Sequence, residues 1–298
     1  MPRRTLSDKV WNRLCQSGAF RRIAEPFAPT IEPNRWIFII GCYNSGTTLL
    51  KSILAEHEAI TQLPARGGAY AEELEWPEAY GWTRMWHKCY DALRMEPGPG
   101  TDQIARSIRR KWELVLGGAP DNVLVKSITD AVRIPFLNAY FRPAYFIYIV
   151  RNGYAVAEGI RRKATPADWG CNRYADAYPI DLCAEQWKES DRVVEGDRPE
   201  TDRFLTITYE ELAEETETTL RVVTDFLGLP SLKQGEIDQV WNVHGVRSKI
   251  KNMNSKSFTN LSDREIRRIE EVAGGVLKKY GYRRPSRVEK NRNWGERL

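Results

Sequence analysis

Four short runs of apolar and β-branched residues punctuate the 298-residue chain: Trp36–Ile40, Val123–Ile128, Tyr145–Val150 and Phe204–Thr208. Unbroken apolar runs of this length predict strands buried on both faces, as in a parallel sheet. Helical spacing marks the segments between them: Thr47–His57, Asp102–Leu116, Tyr154–Lys163 and Glu210–Leu227. The alternation predicts an α/β fold with a central parallel β-sheet flanked by helices. Near the C-terminus, Ser262 and Glu265 form a capping-box pattern. Ile266, Ile269, Val272, Val276 and Tyr280 then recur at helical spacing, and Gly281 stops the helix. The chain divides into an N-terminal arm over 1–34, interrupted by Pro26, Pro29 and Pro33, a single domain over 35–282, and a basic tail over 283–298.

Composition narrows the function classes. Hydrophobic residues are 42% and charged residues 29%, a globular balance. Lys+Arg is 45 against 40 for Asp+Glu, a net charge of +5. That suits an anionic small ligand and falls short of the dense basic surface of a nucleic-acid binder. No apolar run approaches the ~20 residues that a membrane helix needs, and the opening segment lacks the apolar core of a secretory signal. Five scattered cysteines without a C-x-x-C pair argue against a disulfide framework or a zinc site. They favour the reducing cytoplasm as the expected compartment. The composition leaves the oligomeric state open.

The sharpest chemical signal follows the first strand, in WIFIIGCYNSGTTLLKSIL. A strand ending at Gly41, a tight loop and a helix beginning near Thr47 aim backbone N–H groups and a positive helix end at one point, where an anion belongs. The spacing reproduces the phosphate-loop pattern G-x-x-x-x-G-K-[ST] except that Thr47 stands in the place of the lysine. Without that lysine, hydrolysis of a nucleoside triphosphate is disfavoured, and so is a small-molecule kinase on the same scaffold. A single phosphate carrying a sulfuryl group still fits the loop.

Four segments resemble the sulfotransferases that use 3′-phosphoadenosine 5′-phosphosulfate (PAPS). YNSGTTLL is similar to their 5′-phosphosulfate loop, and YIVRNGYAVAEGIRRK to their 3′-phosphate motif. TYEELAEETETTLRVVTDFLGLP and KIKNMNSKSF resemble their later adenine-contacting and nucleotide-closing regions, and VLVKSI resembles the strand ending in K-S of several branches. The likeness runs from about Trp36 to Tyr282.

The resemblance implies a single phosphate-loop-type domain that moves a sulfuryl group from PAPS to an acceptor hydroxyl or nitrogen, leaves 3′-phosphoadenosine 5′-phosphate (PAP), and needs no metal. It implies that Asn44, Ser45, Gly46, Thr47 and Thr48 hold the 5′-phosphosulfate, that Arg151, Lys163 and Lys251 hold the 3′-phosphate, and that Tyr209 contacts adenine. Lys126, at the end of the second strand, would offset charge developing on the leaving phosphate. Three departures stand out. Asn44 replaces the usual lysine or arginine of the loop, Gly159 replaces a serine of the 3′-phosphate motif, and Ile128 occupies the place of the catalytic histidine of the cytosolic branch. The first two are also what a nucleotide-binding module without chemistry would show.

With that histidine absent and Arg66 near the place where other branches carry a glutamate, Glu72 and Glu73 are the expected general bases, with His87 and Asp130 in reserve. The stretch 70–86 mixes Tyr70, Trp76, Tyr80, Trp82 and Trp86 with Glu72, Glu73, Glu75 and Glu78. Aromatics among acids suit a polar, flat or cationic small-molecule acceptor. An amphipathic lid accounts for the same pattern.

Overall fold

A computed structural model of the chain describes residues 14–15, 17–64, 70–118, 120–170, 173–174, 176–243 and 246–286. Arg66 and Cys171 lie outside these, as do the first 13 residues and most of the basic tail. In chain order, α1 (Gly18–Ala24) precedes β1 (Arg35–Gly41), α2 (Thr47–Leu54), β2 (Thr61–Gln62), α3 (Thr101–Leu116), β3 (Asn122–Lys126), α4 (Ile134–Tyr140) and β4 (Ala144–Val150). There follow α5 (Gly153–Lys163), α6 (Ile180–Asp197), β5 (Phe204–Thr208), α7 (Tyr209–Glu214), α8 (Thr216–Leu227), β6 (Trp241–Val243), β7 (Val246–Ser248), α9 (Asn254–Phe258) and α10 (Asp263–Lys279).

The main sheet is parallel, in the order β2-β3-β1-β4-β5, with β1 central. Period-two alternation along β1 sends Trp36, Phe38 and Ile40 to one face and Ile37 and Ile39 to the other. The first face packs with Trp112 of α3, Trp187 of α6 and Ile269 of α10. The second packs with Leu50 and Ile53 of α2 and Leu220, Val223 and Leu227 of α8. Both faces are therefore dry, which explains the unbroken apolar runs. At the C-terminal ends of β1, β3 and β4 stand the phosphate loop, Lys126 and Arg151, the edge where open α/β sheets bind ligands.

The four expected strands are present, with Val123–Ile128 ending at Lys126 and passing into a 3₁₀ turn over Ile128–Val132. The helix expected over Glu210–Leu227 is two, broken at Glu215 (φ −124°, ψ 47°) after a capping box from Thr208 and Glu211. The Ser262–Glu265 box caps α10 as expected, and Gly281 follows at φ 69°. The 18-residue α6 has no counterpart in the pattern reading, because its buried face carries Gln186, Ser190 and Asp191 among the apolar residues. From the N-terminal arm, Arg21 of α1 is buried and donates to the Cys15 carbonyl and to Glu72. Beyond α10, Tyr282 donates to Glu210 and Arg284 to Glu270. Among the described residues no helix is long and apolar enough to cross a membrane.

Candidate active site

Gly46 opens α2 with left-handed backbone (φ 95°), and no side chain caps the helix. The first-turn amides of α2 thus lack side-chain acceptors and point at the loop cavity. Gly46 is required twice over: a Cβ there would sit 2.7 Å from Cδ2 of Tyr209, and φ in this range disfavours any other residue. Two polar atoms of the loop, Ser45 Oγ and Asn44 Nδ2, are buried without a hydrogen-bond partner. Buried donors are ordinarily satisfied. Two in one turn fit a bound anion.

The loop opens into a pocket of about 340 Å³ lined by Asn44, Gly46, Thr47, Thr48, Arg151, Gly159, Lys163, Tyr209 and Lys251, together with Trp241, Ser248, Met253 and Ser257. Further cations on its wall are Arg162, Lys249 and Lys256, and among the described residues no carboxylate lines it. Of the expected cofactor ligands, only Ser45 lies behind the wall, fully buried.

Arg151 joins the walls of this pocket. Its Nη1 donates to the Asn44 carbonyl at 2.7 Å and its Nε to Asn254 Oδ1 at 2.8 Å. Its guanidinium lies 4.2 Å from the centre of the Tyr209 ring. It forms no ion pair among the described residues, and burial lowers its pKa. Asn254 in turn donates to Glu210, which also accepts from the Asn152 N–H and the Tyr282 hydroxyl. The Tyr209 hydroxyl donates to the Lys251 carbonyl and accepts from the Met253 N–H, both at 3.0 Å. The loop, the end of β4 and the 249–258 segment thus form one network. Lys163 reaches the same wall, its pKa brought down to about 8 by burial first and then by Arg84, Arg162 and Arg151.

Asn44 (φ 63°) lies over α5, and a Cβ on Gly159 would sit 3.0 Å from its Cγ. The two departures of the loop and the helix are therefore one packing unit: the glycine makes room for the asparagine.

Lys126 closes β3 opposite Ile39 of β1 and outside the wall of the loop pocket. Its charge acts on Asp130, whose carboxyl burial raises to about 6 against the charges of Arg133 and Lys126. Asp130 Oδ1 accepts no hydrogen bond and lies 3.8 Å from Arg133 Nη1.

The expected bases Glu72 and Glu73 are not brought to this site. Glu72 accepts from Arg21 at 2.7 Å and from Lys111 at 3.0 Å. Glu73 accepts from Lys111 at 2.7 Å and from Ser107 at 2.9 Å. Burial alone would raise the Glu72 carboxyl, but the bonds from Lys111 and Arg21 bring it down to about 2, too acidic for a base. Their partners are the buried cations of α1 and α3, a local pattern of charges that no motif announces. Glu75 accepts from the Tyr80 hydroxyl and Glu78 from Thr83. None of the four acids lines the loop pocket. His87 is held between Gln186 at Nδ1 and Glu185 at Nε2, and burial lowers its pKa.

Pattern reading missed Trp241, Arg162, Lys249 and Lys256. The cluster Lys249, Lys251 and Lys256 was visible as a basic run. Trp241 carried no signal beyond a lone aromatic between Val240 and Asn242.

Comparison with known proteins bears on this geometry directly. A family model described as "Sulfotransferase family" matches residues 36–234. Protein-tyrosine sulfotransferase 1 of Danio rerio is 28% identical over 201 residues, 65% of this chain and 53% of that protein. The chain spans about half the length of the curated relatives it matches, 53% and 51% for two of them. Among solved structures, the sulfotransferase STF9 of Mycobacterium avium aligns with a TM-score of 0.57 at 14% identity, covering 96% of this chain and 89% of that one. The sulfotransferase domain from the curacin biosynthetic pathway aligns at 0.53 and 18%, covering 84% and 98%. These structures share the fold. With the family model spanning the loop, Lys126, Arg151 and Tyr209, the chain belongs to the sulfotransferase family.

Proposed function

We propose that the chain transfers a sulfuryl group from PAPS to an acceptor hydroxyl. The observation that carries this reading is the loop pocket, walled by Arg151, Arg162, Lys163, Lys249, Lys251 and Lys256 and, among the described residues, by no carboxylate, with the uncapped start of α2 at its floor. Such a wall suits a small ligand with negative charge at two ends.

PAPS supplies an activated sulfuryl on a phosphate leaving group. The amides opening α2, with Ser45 Oγ and Asn44 Nδ2, hold the phosphosulfate. Arg151, Lys163 and the lysines of 249–256 hold the 3′-phosphate, and Tyr209 and Trp241 border the base. Lys126, at the strand end, offsets negative charge growing on the phosphate as the sulfuryl departs. Sulfuryl carries less charge than phosphoryl, so fixed N–H and ammonium donors suffice. Asp130 is the proposed base: it stands in the turn after Lys126, buried beside Arg133 and outside the loop pocket, with its carboxyl raised to about 6 by burial against Arg133 and Lys126.

The acceptor is read as the hydroxyl of a small molecule. The names of the curated relatives make a tyrosine hydroxyl in a peptide the second class to test. Radiolabelled PAPS incubated with panels of alcohols, phenols, amines and tyrosine peptides tests the reading. Label is expected on at least one hydroxyl acceptor. PAP binding without transfer to any class would make the chain a binding module, and turnover of ATP instead of PAPS would make it a kinase.

A further inference from the structure

Two non-glycine residues among those described hold left-handed backbone, Asn44 at φ 63° and Arg84 at φ 57°. They meet at one side chain. Tyr43 precedes Asn44 in the loop, and the Arg84 guanidinium carbon lies 5.8 Å from the centre of the Tyr43 ring. A left-handed side-chain-bearing residue persists only where its surroundings over-determine it. For Arg84 they do: Thr83 is buried, Met85 and Trp86 are wholly buried, and Trp82 stacks on Tyr178 at 6.1 Å. With its neighbours anchored, the twist at residue 84 turns this one half-buried side chain back toward the loop.

The loop has a use for a cation there. At Asn44 it presents a neutral amide packed against Gly159, and the amide Nδ2 is buried without a partner. Arg84, against Tyr43, stands outside the pocket lining, whose cations come from α5, the residue after β4 and the 249–256 segment. None comes from the loop itself. We propose that Arg84, aimed by the Tyr43 ring, is a ligand of the anion held in the phosphate loop and supplies from a separate segment the charge that the loop lacks at Asn44. The inference rests on the reading of this pocket as the PAPS site. It assigns Arg84 to the 5′ end of the donor.

The test uses the full chain and two ligands, PAP and adenosine 3′-monophosphate, which lacks the 5′-phosphate. Arg84→Gly removes the charge and relieves the left-handed backbone, so it should keep or raise the melting temperature. Its PAP affinity should fall about tenfold, the scale of one charge-assisted hydrogen bond, while affinity for adenosine 3′-monophosphate stays at the wild-type value. Arg84→Lys should recover part of the loss. Equal loss for both ligands, or unchanged PAP affinity in Arg84→Gly, would overturn the assignment while leaving the PAPS reading intact. Wild-type protein that binds neither ligand would sink the PAPS reading, and this assignment with it.

Discussion

Arg151 Nη1 donates to the main-chain carbonyl of Asn44 at 2.7 Å, so the residue that follows β4 holds the left-handed turn of the phosphate loop. The same guanidinium reaches Asn254 through Nε and lies over Tyr209. One side chain thus sets the shape of the loop and supplies charge to its pocket.

Arg151→Ala should weaken PAP binding by about tenfold or more, since it removes both a half-buried cation and the loop's restraint. Arg151→Lys should rescue little, because an ammonium cannot reproduce a fork that serves Asn44 and Asn254 at once. Calorimetric titration of PAP into the two variants checks this. Full rescue by lysine would show that charge alone matters.

Gly46→Ala should cost about 1–3 kcal/mol of stability, since the left-handed backbone is strained for alanine and the new Cβ meets Tyr209 at 2.7 Å. Chemical denaturation measures the loss. A neutral effect would mean that the loop relaxes away from Tyr209.

Glu72→Gln and Glu73→Gln should leave kcat within about twofold of wild type, in contrast to the 10²–10⁴-fold loss expected on removing a general base. Their effect falls on stability. The folded Glu72 carboxyl is depressed to about 2, below its ordinary value near 4.3. Its contribution is present above that ordinary value and is lost as pH falls toward 2. Because this side chain is 40% exposed, solvent screening limits the effect to about 1 kcal/mol. Melting temperatures of Glu72→Gln and wild type should differ at pH 7, draw together as pH falls below about 4 and converge only near pH 2. A hundredfold fall in kcat would return Glu72 to the active site.

With Asp130 as the proposed base, its titration should set the acid limb of activity. Its carboxyl is raised to about 6, so kcat/KM should fall as pH drops through that value and the base becomes protonated. Lys126 and Arg133 both lower this pKa against burial. Removing the cation in Lys126→Ala should therefore shift the limb upward while also slowing turnover. The pH–rate profiles of wild type, Lys126→Ala and Asp130→Asn are the check. An acid limb surviving unmoved in Asp130→Asn would assign the base elsewhere.

The sheet was legible because its strands are buried on both faces, so sequence alone shows them as unbroken apolar runs. The loop was legible because anion binding through backbone N–H groups needs a glycine at a fixed distance from a strand end. Glu72 and Glu73 misled because sequence adjacency to the loop says nothing about Lys111, 38 residues from Glu73, and Arg21, 51 residues from Glu72, which claim them. Gly159 looked like a missing ligand. In three dimensions it is the space that Asn44 occupies. Neither relation leaves a local pattern, since each joins residues far apart in the chain.

The central claim is that the turn after β1 and the basic wall around it form a PAPS site. Isothermal titration of wild-type protein with PAP, and separately with ATP and Mg²⁺, tests it most directly. Saturable PAP binding that weakens as salt rises and is reduced in Arg151→Ala is expected, with ATP bound more weakly. Tight ATP–Mg²⁺ binding with no PAP binding would contradict it.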